Sequence, residues 1–154
     1  MKTNPKPRVA LQSAFWDTSA IVPLCCLQAA SAQARHAARV YAIQVVWWGT
    51  SVEAISSFNR LIREGYLSTP DSQQAFTRLN HLRQYWNAIQ PSDGLRDLAE
   101  HLLGKHKLRA GDALQLASAL VWCTGYPKGH CFIGGDNDLL DAADIEGFTV
   151  VRLH

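Results

Sequence analysis

Ala14-Phe15-Trp16-Asp17-Thr18-Ser19 places a short apolar, aromatic run directly before an aspartate. Such a run is too short for an amphipathic helix and reads as a buried strand. Three further runs read the same way: Ile43 to Trp48, His130 to Ile133, and Phe148 to Leu153. A weaker fifth candidate, Trp86 to Gln90, is closed by Pro91. The segments between them carry helical signals. Ser31 to Tyr41 is rich in alanine, and Ser51 to Glu64 repeats apolar residues near a helical period and stops at Gly65. Thr69 precedes Pro70 as a cap precedes a first-turn proline, opening a helix to about Tyr85. Ser92 caps a helix with a Leu95, Leu98, Leu102, Leu103 stripe that stops at Gly104; Asp112 to Trp122 is another, and Asp138 to Ala143 a short last one. Strands alternating with helices predict parallel pairing through right-handed crossovers. The expected fold is therefore α/β, a three-layer α/β/α sandwich filling residues 14–154 as one domain, behind an N-terminal tail of residues 1–13.

Bulk properties fit this picture. A chain of 154 residues can bury a core without staples, and 47% hydrophobic residues argue against disorder. No apolar run approaches the roughly 20 residues of a membrane span. The tail carries Lys2, Lys6 and Arg8 without the apolar stretch of a secretory signal. The formal net charge of +2 does not by itself predict nucleic-acid binding, so any positive surface must be local. Cys25, Cys26, Cys123 and Cys131 match no zinc or redox spacing and read as buried free thiols of a reducing cytoplasm.

In open parallel sheets the functional crevice lies beyond the carboxyl ends of the strands. The first strand is followed at once by Asp17, the second by Glu53 after a short turn, and the fourth by Gly134, Gly135 and Asp136. Three strands thus deliver three acids to one edge. Asp112 opens a small-residue helix in which Ala113, Leu116, Ala117 and Leu120 form one stripe, so it should be held close to the same edge. Each acid also has a structural reading, as an N-cap for Asp17 and Asp136 and as a first-turn acid for Glu53. Gathered together, the four would repel one another, and a hard divalent cation, Mg²⁺ or Mn²⁺, would offset that. Such a site suits phosphodiester hydrolysis.

These motifs resemble those of PIN domains. Phe15 to Val22 is similar to the family's opening strand and Asp-Thr-Ser; Ser51-Val52-Glu53 to its second acidic motif; Leu108 to Ala119 to its third; and Phe132 to Leu140 to its fourth. The likeness runs from about Ala14 to Leu153. It implies a parallel sheet of about five strands and metal-dependent cleavage of single-stranded RNA, the target being unpaired or structured. A stand-alone domain of this size looks most like a VapC-type toxin, which implies a type II toxin–antitoxin pair, a cognate antitoxin and a homodimer. The chain departs from the pattern at Gly134, where the family often carries a hydroxyl residue.

The resemblance implies catalytic roles for Asp17, Glu53, Asp112 and Asp136. Asp17, Asp112 and Asp136 would contact the metal, with Glu53 binding it or positioning the attacking water. Asp138 is either a further metal contact or a helix cap or first-turn acid. Thr18 and Ser19 would hydrogen-bond Asp17 or a phosphate, or cap a helix. Arg109, with Lys105, His106 and Lys107, would touch phosphates or lie in a solvated loop, and Arg60 and Arg63 would steer RNA or face water. Trp16, Trp47 and Trp48 read as core residues, with base stacking as the other possibility. The six histidines make no ligand pattern and read as surface or satisfied residues. Two other functions compete: a catalytically silent PIN-like domain that binds RNA or protein, and an Asp-nucleophile phosphatase. The latter is weakened by Ser19, which stands where it needs a second aspartate.

Overall fold

Alternation of large apolar side chains along very short strands organises the whole molecule. The structure, a computed structural model, describes residues 4–5 and 10–154; Lys2, Lys6 and Arg8 of the expected tail lie outside the described residues. Five strands, β1 (Ser13–Trp16), β2 (Ile43–Trp47), β3 (Asn87–Ile89), β4 (Cys131–Gly134) and β5 (Thr149–Arg152), form one all-parallel sheet. Its order is β3-β2-β1-β4-β5. Phe15, Val45, Trp47 and Phe132 point to one face, and Trp16, Val46 and Ile133 to the other. Each set seeds its own apolar layer, which is why helices cover both sides.

The helices divide by direction of travel. From β1 the chain moves outward to β3 through α1 (Thr18–Cys25), α2 (Ser31–Val40), α3 (Thr50–Arg63) and α4 (Thr69–Arg83), which pack on Trp16, Val46 and Ile133. It then returns through α5 (Asp93–Lys105) and α6 (Ala110–Trp122) to β4, and through α7 (Asn137–Glu146) to β5, all three packing on Phe15 and Phe132. Right-handed crossovers require this change of face when the direction of travel reverses. The expected stripe Ala113, Leu116, Ala117, Leu120 is buried against the sheet, and all four cysteines are buried and free.

Several boundaries differ from expectation. Helix α1 is signalled in the sequence only by the N-cap reading of Asp17: Thr18 to Cys25 is apolar almost all round and contains Pro23, so it shows no helical period. Its first turn is held by a capping bond instead. The cap of α4 is Ser68, whose hydroxyl accepts from the Asp71 N–H, and not Thr69. Helix α5 passes through Gly104 to Lys105, because Lys105 and His106 both bind Glu146 and fasten its last turn to α7. Burial alone would raise the Glu146 carboxyl, but those two partners draw it below its ordinary value. Trp48 is 55% exposed, against the expectation of a core residue. His130, read as surface or satisfied, has a buried Nδ1 without a partner among the described residues.

Helix α7 runs on to Glu146, beyond the expected Ala143, and ends where Gly147 takes φ 114°. The Phe148 N–H reaches back to the Ala143 carbonyl at 3.0 Å, which turns the chain into β5 and drops Phe148 into the core. A Cβ on Gly147 would also lie 3.1 Å from Pro127. Gly147→Ala should therefore cost about 1–2 kcal/mol of stability by urea denaturation. An unchanged midpoint would show that the turn relaxes without strain.

Candidate active site

The two centre strands part company at their carboxyl ends, because the chain leaves β1 toward one sheet edge and β4 toward the other. A crevice is expected at such a switch point. Asp17 follows β1 directly, and Asp136 follows β4 after Gly135. Both are helix N-caps: Asp17 accepts from the Ser19 N–H at 3.2 Å, and Asp136 from the Leu139 N–H at 2.9 Å. The cap reading and the cleft reading of these residues therefore coexist. Glu53 comes from the first turn of α3 and Asp112 from the first turn of α6. All four carboxylates line one cleft of about 460 Å³, together with Thr18, Ser19, Ser57, Arg60 and Arg109.

A polar frame beneath the cleft holds these groups. The Ser19 hydroxyl donates to Asp17 Oδ2 and accepts from the Gly135 N–H at 2.8 Å, clipping α1 to the end of β4. Thr18 Oγ1 donates to Glu53 Oε2 at 2.9 Å. Behind them Gln115, 1% exposed, extends Nε2 toward Thr18 Oγ1 at 2.9 Å, Thr50 Oγ1 at 3.2 Å and Glu53 Oε2 at 3.3 Å. Gln115 and Thr50 were not singled out from the sequence. The available signal was Gln115 itself, a polar residue one turn beyond Asp112 in an otherwise apolar helix. Gly134 also acquires a steric context: a Cβ there would stand 3.4 Å from Ser19 Oγ and 3.5 Å from Asp17 Cβ. Ser19 Oγ thus lies in contact with the space a side chain at position 134 would enter.

The other singled-out residues fall into place around this frame. Thr18 and Ser19 bind carboxylates of the cluster. Arg109 and Arg60 reach the cleft, whereas Lys105 and His106 are spent on Glu146. Asp138 stands outside the cleft lining and pairs with Lys107 at 3.8 Å, both side chains being exposed. It is still near enough to push the Asp112 carboxyl upward.

Burial raises the Asp17 carboxyl to about 7 from 3.8; Ser19 opposes this, while repulsion from Glu53 and Asp112 adds to it. Glu53 is raised by burial and by Asp112, against the hydrogen bonds from Thr18 and Gln115. Asp112 is raised by burial and by Asp136, against the pull of Arg109. Among the described residues, no three acid, histidine or cysteine side chains stand close enough together to hold a metal ion as placed. The donor chemistry nevertheless suits a hard cation. On Asp17, Glu53 and Asp136 one oxygen is fixed by a protein donor, and the opposite oxygen takes no protein hydrogen bond among the described residues. A positive charge there would relieve the repulsion that helps raise the pKa values.

The sign for stability follows from the raised Asp17 value. The folded state holds the Asp17 proton more tightly than the unfolded chain, so stability is highest below 3.8 and falls as pH rises to about 7, where the loss levels off. Roughly three pH units amount to about 4 kcal/mol. Asp17→Asn, which cannot ionise, should be more stable than the parent by about 2–4 kcal/mol near pH 8 in EDTA, with the gap closing toward pH 4. Denaturation midpoints across that range test this; parallel curves for the two proteins would refute the burial cost.

No family model matches the chain, and no curated protein matches it in sequence. Solved structures do match in shape. A chain of a toxin–antitoxin complex from Klebsiella pneumoniae superposes with a TM-score of 0.57 at 19% identity, over 82% of this chain and 89% of that one. PAE2754 from Pyrobaculum aerophilum superposes with a TM-score of 0.58 at 19% identity, over 91% of this chain and 90% of that one. At that identity the likeness establishes a shared fold, an α/β sandwich on a five-stranded parallel sheet.

Proposed function

We propose that this chain is a Mg²⁺- or Mn²⁺-dependent endoribonuclease of the PIN family, VapC type, that hydrolyses phosphodiester bonds of single-stranded RNA. The observation that carries this reading is the meeting of Asp17, Glu53, Asp112 and Asp136, from four separate helix starts, on one cleft rimmed by Arg60 and Arg109. Asp17, Asp112 and Asp136 would hold the metal, with Glu53 beside them and Asp138 as a further contact from the rim. The ion would neutralise the carboxylates and draw charge from the phosphoryl oxygen when bound.

The protein's own groups supply the rest. Thr18 and Gln115 engage Glu53 Oε2, which leaves Oε1 to orient a water and accept its proton. Gly111 stands beside Oε1, where a Cβ would be in ordinary contact at 3.9 Å. Arg60 and Arg109 offer guanidinium groups to the phosphates on either side of the scissile bond. Ser19 keeps Asp17 directed by its two bonds to Oδ2.

The shared fold with a chain of a toxin–antitoxin complex supports a toxin role, with a cognate antitoxin as partner. A homodimer and a cytoplasmic location belong to the same proposal; no helix of the described residues is long and apolar enough to cross a membrane. One observation favours a second reading, a catalytically silent domain that binds RNA or protein: the carboxylates as placed are too spread to grip one ion.

Cleavage of a mixed single-stranded RNA pool with Mn²⁺ or Mg²⁺ separates the two. Metal-dependent cutting is expected, abolished by EDTA and reduced about 10²–10⁴-fold in Asp112→Asn. No cutting by folded, metal-saturated protein would give the silent reading preference.

A further inference from the structure

Trp48 stands two residues before the start of α3, outside the cleft lining. It lines a second, smaller cavity of about 300 Å³ with Trp47, Ser51, Val52, Arg83 and Trp86. We propose that this cavity is a base-stacking subsite for unpaired RNA, engaging a nucleotide close to the one cut in the acidic cleft. The proposal rests on the ribonuclease reading.

Three features support it. First, the aromatic walls are fixed before any ligand arrives. Trp48 packs edge-on against Trp47, with ring centroids 6.2 Å apart at 69°. Trp47 is itself buried and lies over Gly49, where a Cβ would come within 2.5 Å of its indole nitrogen. Trp86 is anchored by its indole N–H, which donates to Gln44 Oε1 at 2.8 Å. Yet Trp48 itself remains 55% exposed, so its ring is held and open at once. A rigid, exposed indole face can stack on any base.

Second, the charge fits a polyanion. Arg83 is the sole charged residue of the lining, no carboxylate joins it, and none of the ion pairs among the described residues involves it. A base on Trp48 with its phosphate at Arg83 uses both groups, and stacking engages the ring face that every base shares. Third, the position is right. Ser51 and Val52 line this cavity and Glu53, next in the chain, lines the cleft, so the two sites share one helical turn. They lie about a helix diameter apart, roughly 10 Å, a span of about one or two nucleotides.

The test measures binding in EDTA, without cleavage. The probe is a fluorescein-labelled single-stranded RNA of about 12 nucleotides, alongside the same sequence as a duplex. Trp48→Ala and Trp48→Leu should each weaken single-strand binding about tenfold. Trp48→Phe, which keeps a ring face, should stay within about threefold of the parent. Arg83→Gln should weaken binding and lower its salt dependence. Duplex binding should be indifferent to Trp48. Equal single-strand affinity for parent and Trp48→Ala overturns the subsite, as does leucine rescuing as well as phenylalanine. Unchanged RNA affinity with loss of self-association in Trp48→Ala also overturns it and assigns the face to a second copy of the chain. A metal-loaded cleavage assay on the same proteins separates the two readings. Cutting with no Trp48 dependence of binding removes the subsite alone, whereas Trp48-dependent binding with no cutting removes the nuclease alone.

Discussion

Like charges brought together in a half-dry cleft are the constraint around which the rest of this molecule is arranged. Asp17 is only 5% exposed, faces Glu53 and Asp112, and has its ionisation pushed up to about 7. Left alone, such a group would make its surroundings looser. It is held by two bonds from Ser19, which in turn grips the Gly135 N–H, so that the end of β1 and the end of β4 are tied through one hydroxyl. The Asp17 N–H adds a direct link to the Ile133 carbonyl at 3.0 Å. The most strained electrostatic point and the centre of the sheet are thus the same place, a common arrangement where a site demands pKa values that stability alone would not select.

The frame under the cleft works by division of labour within each carboxylate. One oxygen of Asp17, Glu53 and Asp136 is committed to a hydroxyl, an amide or a helix N–H. That commitment fixes the group's direction and leaves its other oxygen without a protein hydrogen bond among the described residues. Asp136 does this by capping α7 and Asp17 by capping α1, so forming the helix and aiming the acid are one event. Gln115 performs the same service for Glu53 from a different helix, reaching 62 residues along the chain to do so. Because Gln115 is buried, its bonds act in a medium where they are stronger than in water, and where loss of a partner is costly.

Around this centre the outer features sort themselves by distance from the cleft. Lys105, His106 and Glu146 fasten the ends of α5 and α7 and take no part in the site. Arg60 and Arg109 supply positive charge at the rim of a chain whose net charge is only +2, beside the four carboxylates of the cleft. The tryptophans divide likewise: Trp16 and Trp47 build opposite layers, while Trp48 stands out on the surface beside Arg83.

By itself the sequence determined the strands, the parallel α/β class and the meeting of Asp17, Glu53, Asp112 and Asp136 at one edge. Short β-branched and aromatic runs are local signals, and the strand-end rule converts chain position into spatial position without knowledge of packing. It marked α1 only through the capping reading of Asp17, since an all-round apolar surface erases helical periodicity, and it did not reveal the run of α5 through Gly104, whose end binds Glu146 more than forty residues away. Only the tertiary structure decided that Gln115 and Thr50 belong to the site, that Trp48 faces outward, and that Ser19 joins two strands. Each of these depends on which residues from distant segments meet, and burial and hydrogen bonding between such segments leave no periodic trace in the chain.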